Sequence, residues 1–331
     1  MRRFFGWVLG ACVLMALLPA NAADRMTIIV GGADKQIYLP ATLAERLGYF
    51  REQGLEVEMQ SESSGVSAAD VLLAGAAHGV IGAYDHTIDL QAKGKSVQAV
   101  VQFTISPGEV ELVAARMADR LHGPADFRGR NLGVTGLGSS TSFLTQYLAS
   151  LHNLKPTDLT LVPVGSGQTF VDAMHQGRID AGMTTEPMAS RLLSSGQARL
   201  LVDLRTPEAT QKALGGLYPF ACLYMETHWV NGHREQTQKL ANALVKALHF
   251  ISTHSAAEIA AQLPPEFFAG NRALYIQSLA QSKSMFTPDG VMPASGPASV
   301  LKVLAAVNSS VRRKAIDLNE TYTSEFVNAT R

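Results

Sequence analysis

Strand-like and helix-like segments alternate along this chain in two successive runs, and a Ser106-Pro107-Gly108 break separates them. Residues 26–32 (MTIIVGG) read as a buried strand ended by glycines. Leu39, Leu43, Leu47 and Phe50 share one helical face over residues 39–53, and Gly54 stops it. Residues 55–60 alternate as a half-buried strand. A short helix (67–76), a glycine-rich strand (78–83), a helix (85–93) and a strand (97–103) follow. Such alternation predicts an open parallel sheet with crossover helices.

After the break the order restarts. Strands are predicted at 110–115, 131–135, 160–164, 179–184 and 198–203, with helices after residue 138 and at 169–175 and 188–194. A Gly/Pro-rich loop (215–219) leads to one more strand at 220–225. Beyond it the pattern is helical, with Leu240, Leu244, Leu248 and Ile251 as one stripe and further helices at 272–283, 299–307 and 310–317. Helices alone cannot bury such a stripe, so they are expected to dock on the first sheet. The predicted fold is α/β, with two Rossmann-like domains joined by a hinge. Domain 1 is discontinuous (24–107 and 206–331), domain 2 is inserted (108–205), and a ligand cleft lies between them.

Residues 1–22 have a different character. Met1-Arg2-Arg3 is a basic start, residues 4–18 are nearly all apolar, and Pro19-Ala20-Asn21-Ala22 ends in a small-x-small pattern. This predicts a secretory signal peptide cleaved near Ala22, and hence an exported chain. The apolar run is short for a membrane span, which needs about 20 residues. Cys12 would leave with the signal, and Cys222, in an apolar strand, is expected to be a core residue without a disulfide partner. Lys plus Arg and Asp plus Glu are equal at 28 each with no long basic run, which removes the electrostatic case for nucleic acid.

In open α/β sheets ligands bind outside the carboxyl ends of the strands. The loops there are small and polar. The most distinctive is Gly133-Val134-Thr135-Gly136-Leu137-Gly138-Ser139-Ser140-Thr141-Ser142, where a strand runs through glycines into hydroxyl residues and a helix. A helix N-terminus offers free N–H groups and a positive dipole end. Candidate ligand contacts are Gly138, Ser139, Ser140 and Thr141 here, with Lys35, Gln36, Tyr38, Ser64, Tyr84, Asp85, His86, Phe103, Gln168, Thr185, Glu186 and Tyr218 on the facing loops. Tyr38, Tyr84, Phe103 and Tyr218 suit a flat or apolar ligand part.

Catalytic and metal signatures are weak. The third glycine of a dinucleotide fingerprint is replaced by Thr141, and no lysine completes a P-loop. No Gly-x-Ser-x-Gly elbow occurs, and the histidine spacings suit no metal, so neither a cofactor nor a metal is expected. A helix terminus contributes only about 0.3–1 kcal/mol, whereas micromolar binding needs about 8 kcal/mol. Further charge-assisted bonds and closure are therefore required. Lys35 stands against Glu62, Asp85 and Glu186 in these loops, which argues against a bare small anion and for a ligand with an anionic or carbonyl end plus another polar, cationic or aromatic part.

Three groups of residues together resemble the periplasmic solute-binding proteins of the nitrate/sulfonate/taurine and thiamine-precursor (NMT1-type, THI5-like) ABC importers. They are Tyr38-Leu39-Pro40 to Gly48-Tyr49-Phe50 with Gly54-Leu55-Glu56-Val57, then Leu132-Gly133-Val134 through Gly138-Ser139-Ser140-Thr141, then Asp180-Ala181-Gly182 through Thr185-Glu186-Pro187. The resemblance covers most of the chain after the signal. It implies a two-lobed fold of the type II periplasmic-binding kind, hinge closure on a small organic solute, and delivery to a membrane permease and its ATPase, with the turn at Gly138 to Thr141 and the loop at Thr184 and Thr185 gripping the ligand. The expected function is a monomeric, non-enzymatic, periplasmic binding subunit for a sulfonate, carboxylate or pyrimidine-like solute. The alternatives are an enzyme of pyrimidine-precursor metabolism on the same fold and a sensory binding protein.

Overall fold

The structure, a computed structural model, describes residues 23–330; the predicted signal segment and Cys12 lie outside the described residues. The chain begins with β1 (Asp24–Val30), α1 (Leu39–Arg46) and α2 (Tyr49–Glu52), then β2 (Leu55–Ser61), α3 (Gly65–Leu73), β3 (Gly79–Ala83), α4 (Asp85–Ala92) and β4 (Val97–Gln102). The predicted helix over 39–53 is broken in two. Gly48 takes φ +77, a conformation open to glycine, and turns the chain between α1 and α2.

Past the break come β5 (Glu109–Ala114), β6 (Asn131–Val134), α5 (Ser140–Ser150), β7 (Thr160–Pro163), α6 (Gln168–His175), β8 (Ala181–Thr185), α7 (Met188–Ser194) and β9 (Ala198–Leu204). Then α8 (Pro207–Leu214) leads back to β10 (Ala221–Glu226). Thr206 starts α8 by accepting a hydrogen bond from Ala209 N, and Gly215 at φ +79 ends it.

Two five-stranded sheets result, in the orders β2-β1-β3-β10-β4 and β7-β6-β8-β5-β9. Each is mixed, which corrects the expectation of parallel sheets. β5 runs antiparallel to β8 and β9, and β10 runs antiparallel to β3 and β4. Both are the strands by which the chain enters a sheet from the other one. The chain passes between sheets at residues 103–108 and again at 205–220.

The remaining helices are α9 (Thr227–Gly232), α10 (Arg234–Thr253), α11 (Ala256–Ala260), α12 (Arg272–Ser282), α13 (Gly296–Val307), α14 (Ser309–Arg313) and α15 (Glu325–Asn328). The helix predicted over 310–317 is therefore confined to α14. The stripe Leu240, Leu244, Leu248 and Ile251 is buried in the core of the first sheet, as the docking argument requires. Burial of each such side chain contributes about 1.5–3 kcal/mol. Phe143, Leu144, Tyr147 and Leu148 of α5 belong to the same core, because α13 packs against α5. The C-terminal helices thus pack on the first sheet and also, through α13 on α5 and α12 on α7, on helices of the second unit. The second sheet has its own two small cores, one on each face. Cys222 is buried and, among the described residues, has no disulfide partner. Among the described residues no helix is long and apolar enough to cross a membrane.

Candidate functional site

The carboxyl ends of β1, β3, β6 and β8 and the start of β5 converge where the sheets face each other. The loop after β1 is shaped by glycines. Gly32 has φ +109, and a Cβ there would lie 2.6 Å from Lys35 Cε. Lys35 therefore folds over Gly32, and its Nζ donates to Gly31 O at 2.6 Å. The ammonium lies 5.7 Å from the Tyr38 ring centre.

At the end of β3 the chain turns into α4 and places Asp85 and His86 in its first turn, 0% and 2% exposed. Opposite them the loop after β6 turns through Gly136 and Gly138 into α5. Here the hydroxyls do not cap the helix. Ser139 Oγ donates to Gly136 O at 2.6 Å, and Thr141 Oγ1 accepts from Thr135 N at 2.9 Å. Ser140 Oγ instead reaches across and donates to Asp85 Oδ1 at 2.7 Å. The other oxygen, Asp85 Oδ2, accepts from Tyr218 Oη at 3.0 Å. The Asp85 carboxyl is thus held by the side chain of the first residue of α5.

Two more contacts close the same seam. Gln36 N donates to Glu186 O at 3.1 Å, and Ser166 Oγ to Ser63 O at 3.4 Å. Gly136 lies directly against Ser64, since a Cβ on it would be 3.3 Å from Ser64 Oγ. What remains between the sheets is a cavity of about 10 Å³. That is close to one water-sized sphere.

Six of the predicted residues line this cavity: Lys35, Tyr38, His86, Ser139, Ser140 and Thr141. Asp85, Tyr218 and Ser64 stand directly behind them, Gly138 forms the turn at φ +82, and Thr185 pairs with Glu109 across β8 and β5. The others face elsewhere. Gln36 Nε2 donates to Ser278 Oγ at 2.8 Å, on the side of α12. Tyr84 shares a 2.5 Å hydrogen bond with Thr321, and Phe103 is fully buried in the core of the first sheet. Gln168 is exposed and bonds Asp172 and Arg191. Glu186 accepts from Ser190 N and pairs with Arg205 at 2.9 Å. In each case the side chain finds a nearer partner than the cleft.

Glu109 is the important residue that sequence reading passed over. It lines the cavity, is 3% exposed, and its Oε2 has no hydrogen-bond partner among the described residues. His86 Nε2 is likewise buried and unpartnered. It points at the Gly65 backbone of the same wall, where a Cβ would lie only 2.6 Å away. In sequence, Glu109-Val110-Glu111-Leu112 looks like a strand with one solvated face. In the fold that face turns inward, and Glu111 Oε2 accepts from Thr145 Oγ1 of α5 at 2.8 Å.

Burial pushes the Asp85 carboxyl up from the usual carboxylate range; His86 and the hydroxyls of Ser140 and Tyr218 partly offset it. Glu109 is raised well above that range by burial, against the opposing field of Lys35. Lys35 is lowered by burial, against the opposing field of Glu109. Burial raises Glu111 to about 8. Charged states are expensive here, and a polar guest that satisfies them is correspondingly favoured.

A larger hollow of about 330 Å³ lies between α7 and α12. Its charged member, Arg191, is engaged by Gln168 Oε1 at 2.7 Å, and no carboxylate lines it. The concentration of titratable groups is in the smaller cavity. Among the described residues no group of three or more His, Cys, Asp or Glu side chains is placed to hold a metal ion.

Known proteins share this architecture. A protein from Bordetella bronchiseptica RB50 of solved structure is 35% identical, with 93% of this chain and 96% of that one superposed at a TM-score of 0.89. The alkanesulfonate-binding protein SsuA of Xanthomonas axonopodis pv. citri, solved bound to MOPS, is 18% identical and superposes over 92% of this chain and 98% of its own at 0.70. The fold is therefore that of the periplasmic binding proteins. In sequence, the 4-amino-5-hydroxymethyl-2-methylpyrimidine phosphate synthase THI13 of Saccharomyces cerevisiae is 23% identical over 237 residues, 70% of this chain and 68% of that protein. A model of one family, described as NMT1/THI5 like, matches residues 37–257, and the chain belongs to that family.

Proposed function

We propose that this chain is the exported solute-binding subunit of an ABC importer. In this reading the signal is cleaved near Ala22. The mature monomer captures a small organic solute in the periplasm and passes it to a permease driven by its ATPase. Nucleic acid, metal and cofactor have no part in it, and the chain performs no catalysis. Domain 1 is residues 24–107 and 206–331, and domain 2 is residues 108–205.

The observation that carries the reading is the Ser140–Asp85 hydrogen bond at 2.7 Å, made across the seam beside a cavity walled by both sheets. A contact of this kind is made only with the lobes together, so a solute that adds contacts to both lobes favours the closed state by its differential affinity. The sulfonate binder of the same fold supports solute capture as a use of this architecture.

Deleting the gene and measuring uptake of candidate solutes tests transport. Loss of uptake supports it, and normal uptake with a lost behavioural response favours a sensory binding protein. The likeness to yeast phosphate synthases supports one rival, an enzyme of pyrimidine-precursor metabolism. Sustained conversion of a bound compound by the purified chain would establish that rival.

A further inference from the structure

The hydrogen-bonding groups left over in the cavity define what it can hold. The hydroxyls at the start of α5 are already committed to protein acceptors, Ser139 to Gly136 O and Ser140 to Asp85. Thr141 Oγ1 accepts from Thr135 N. Lys35 Nζ donates to Gly31 O. Among the described residues, the buried side-chain atoms of the cavity wall without a partner are Glu109 Oε2 and His86 Nε2. An ionised carboxylate only accepts, while an imidazole nitrogen accepts or donates according to its tautomer. Both left-over side-chain atoms can therefore accept a hydrogen bond from a guest. By formal charge, Asp85 and Glu109 also outweigh Lys35.

We propose that the solute presents an N–H donor edge, neutral or cationic, to Glu109 and His86, as an amine, an amide or an amidine does, and that oxyanions are rejected. The proposal rests on the solute-binding reading above and names its ligand class. An oxyanion brings acceptors only. It would leave Glu109 Oε2 without a partner, add a charge of the same sign, and compete with Asp85 for the start of α5. Leaving a buried polar atom unpaired costs about 1–3 kcal/mol, and more for a charged one. A donor edge satisfies Glu109, and His86 adjusts its tautomer to the neighbouring atom. A donor or cation beside Glu109 opposes the upward push of burial on its carboxyl and so favours the ionised form.

The test is a matched set of compounds differing only in head group: benzamidine, benzamide, benzoate and benzenesulfonate. Thermal stabilisation of the mature chain is measured with each, alongside native mass spectrometry of the chain as purified. Benzamidine or benzamide is expected to stabilise the protein, and the two anions are not. Glu109→Gln is expected to weaken benzamidine binding by about tenfold or more, the loss of one charge-assisted bond. Stabilisation by benzoate or benzenesulfonate equal to or above that by benzamidine and benzamide overturns the ligand class and leaves solute binding standing. If none of the four acts, a co-purifying compound decides. One with an N–H donor head supports the class, and an oxyanion overturns it. A chain that responds to none of the four and carries no small molecule overturns both the ligand class and the solute-binding reading.

Discussion

Replacing Ser140 by alanine removes the hydroxyl that ties α5 to Asp85 while keeping the helix start intact. The lost bond is a 2.7 Å contact between buried groups, and its acceptor is a carboxylate. Hydrogen bonds to charged groups contribute about 1.5–3 kcal/mol, so the closed-to-open ratio should fall by about 10- to 150-fold. Closure is weakened and not abolished, because the Gln36–Glu186 and Ser166–Ser63 bonds and the α5–α13 packing remain. Pulsed electron resonance between nitroxides at Glu58→Cys and Asp119→Cys reads this ratio. Both positions are exposed and belong to different sheets' surroundings, and the native Cys222 is buried beyond the label's reach. The wild type should give one short distance. Ser140→Ala should add a longer one. An unchanged distribution in both Ser140→Ala and Asp85→Asn refutes the view that this bond holds the lobes together.

Other expectations follow from neighbouring contacts. Gly65→Ala puts a Cβ 2.6 Å from His86 Nε2 and should abolish benzamidine stabilisation, while urea unfolding shows a loss of only about 1–3 kcal/mol, typical of overpacking. Tyr218→Phe removes one donor to Asp85 and should cost about 1.5–3 kcal/mol in the same assay. Glu111 titrates at about 8 in the fold against 4.5 when free, so it favours folding while protonated. That contribution is complete below about pH 4.5 and is lost as pH rises toward about 8, so the stability of wild type relative to Glu111→Gln should decline across this window, by at most a few kcal/mol, and level off above it. Denaturant titrations of both proteins at about pH 5 and about pH 9 measure the difference.

Much of the architecture was legible because local patterns have local causes. Short apolar runs bounded by turn residues marked most strands, alternation marked residues 55–60, and the glycine-proline breaks near residues 106 and 215 fell where the chain passes between sheets. The stripe Leu240, Leu244, Leu248 and Ile251 could only be a buried helix face, and it is one. Strand direction was not legible. β5 and β10 carry the same apolar pattern in either orientation, and only the path between sheets makes them antiparallel. The site was half legible. The turn at Ser139 to Thr141 and the pair Asp85-His86 announce themselves through glycines and small polar residues at strand ends, although the hydroxyls turn out not to cap the helix. Glu109 does not, because an acid beside valine on a strand reads as solvated until the fold shows what covers it. Gln36, Tyr84, Gln168 and Glu186 lie on the right loops but turn to other partners, a choice made by side-chain rotamers that spacing does not encode.

The central claim is that a solute is held between the two sheets, against Glu109 and His86 on one side of the cavity and the start of α5 on the other. A crystal structure of the mature chain with its bound compound tests this most directly. The account predicts density in contact with Glu109, His86 and the Ser140 turn together. A compound seated in the 330 Å³ hollow between α7 and α12, or on one sheet alone, contradicts it.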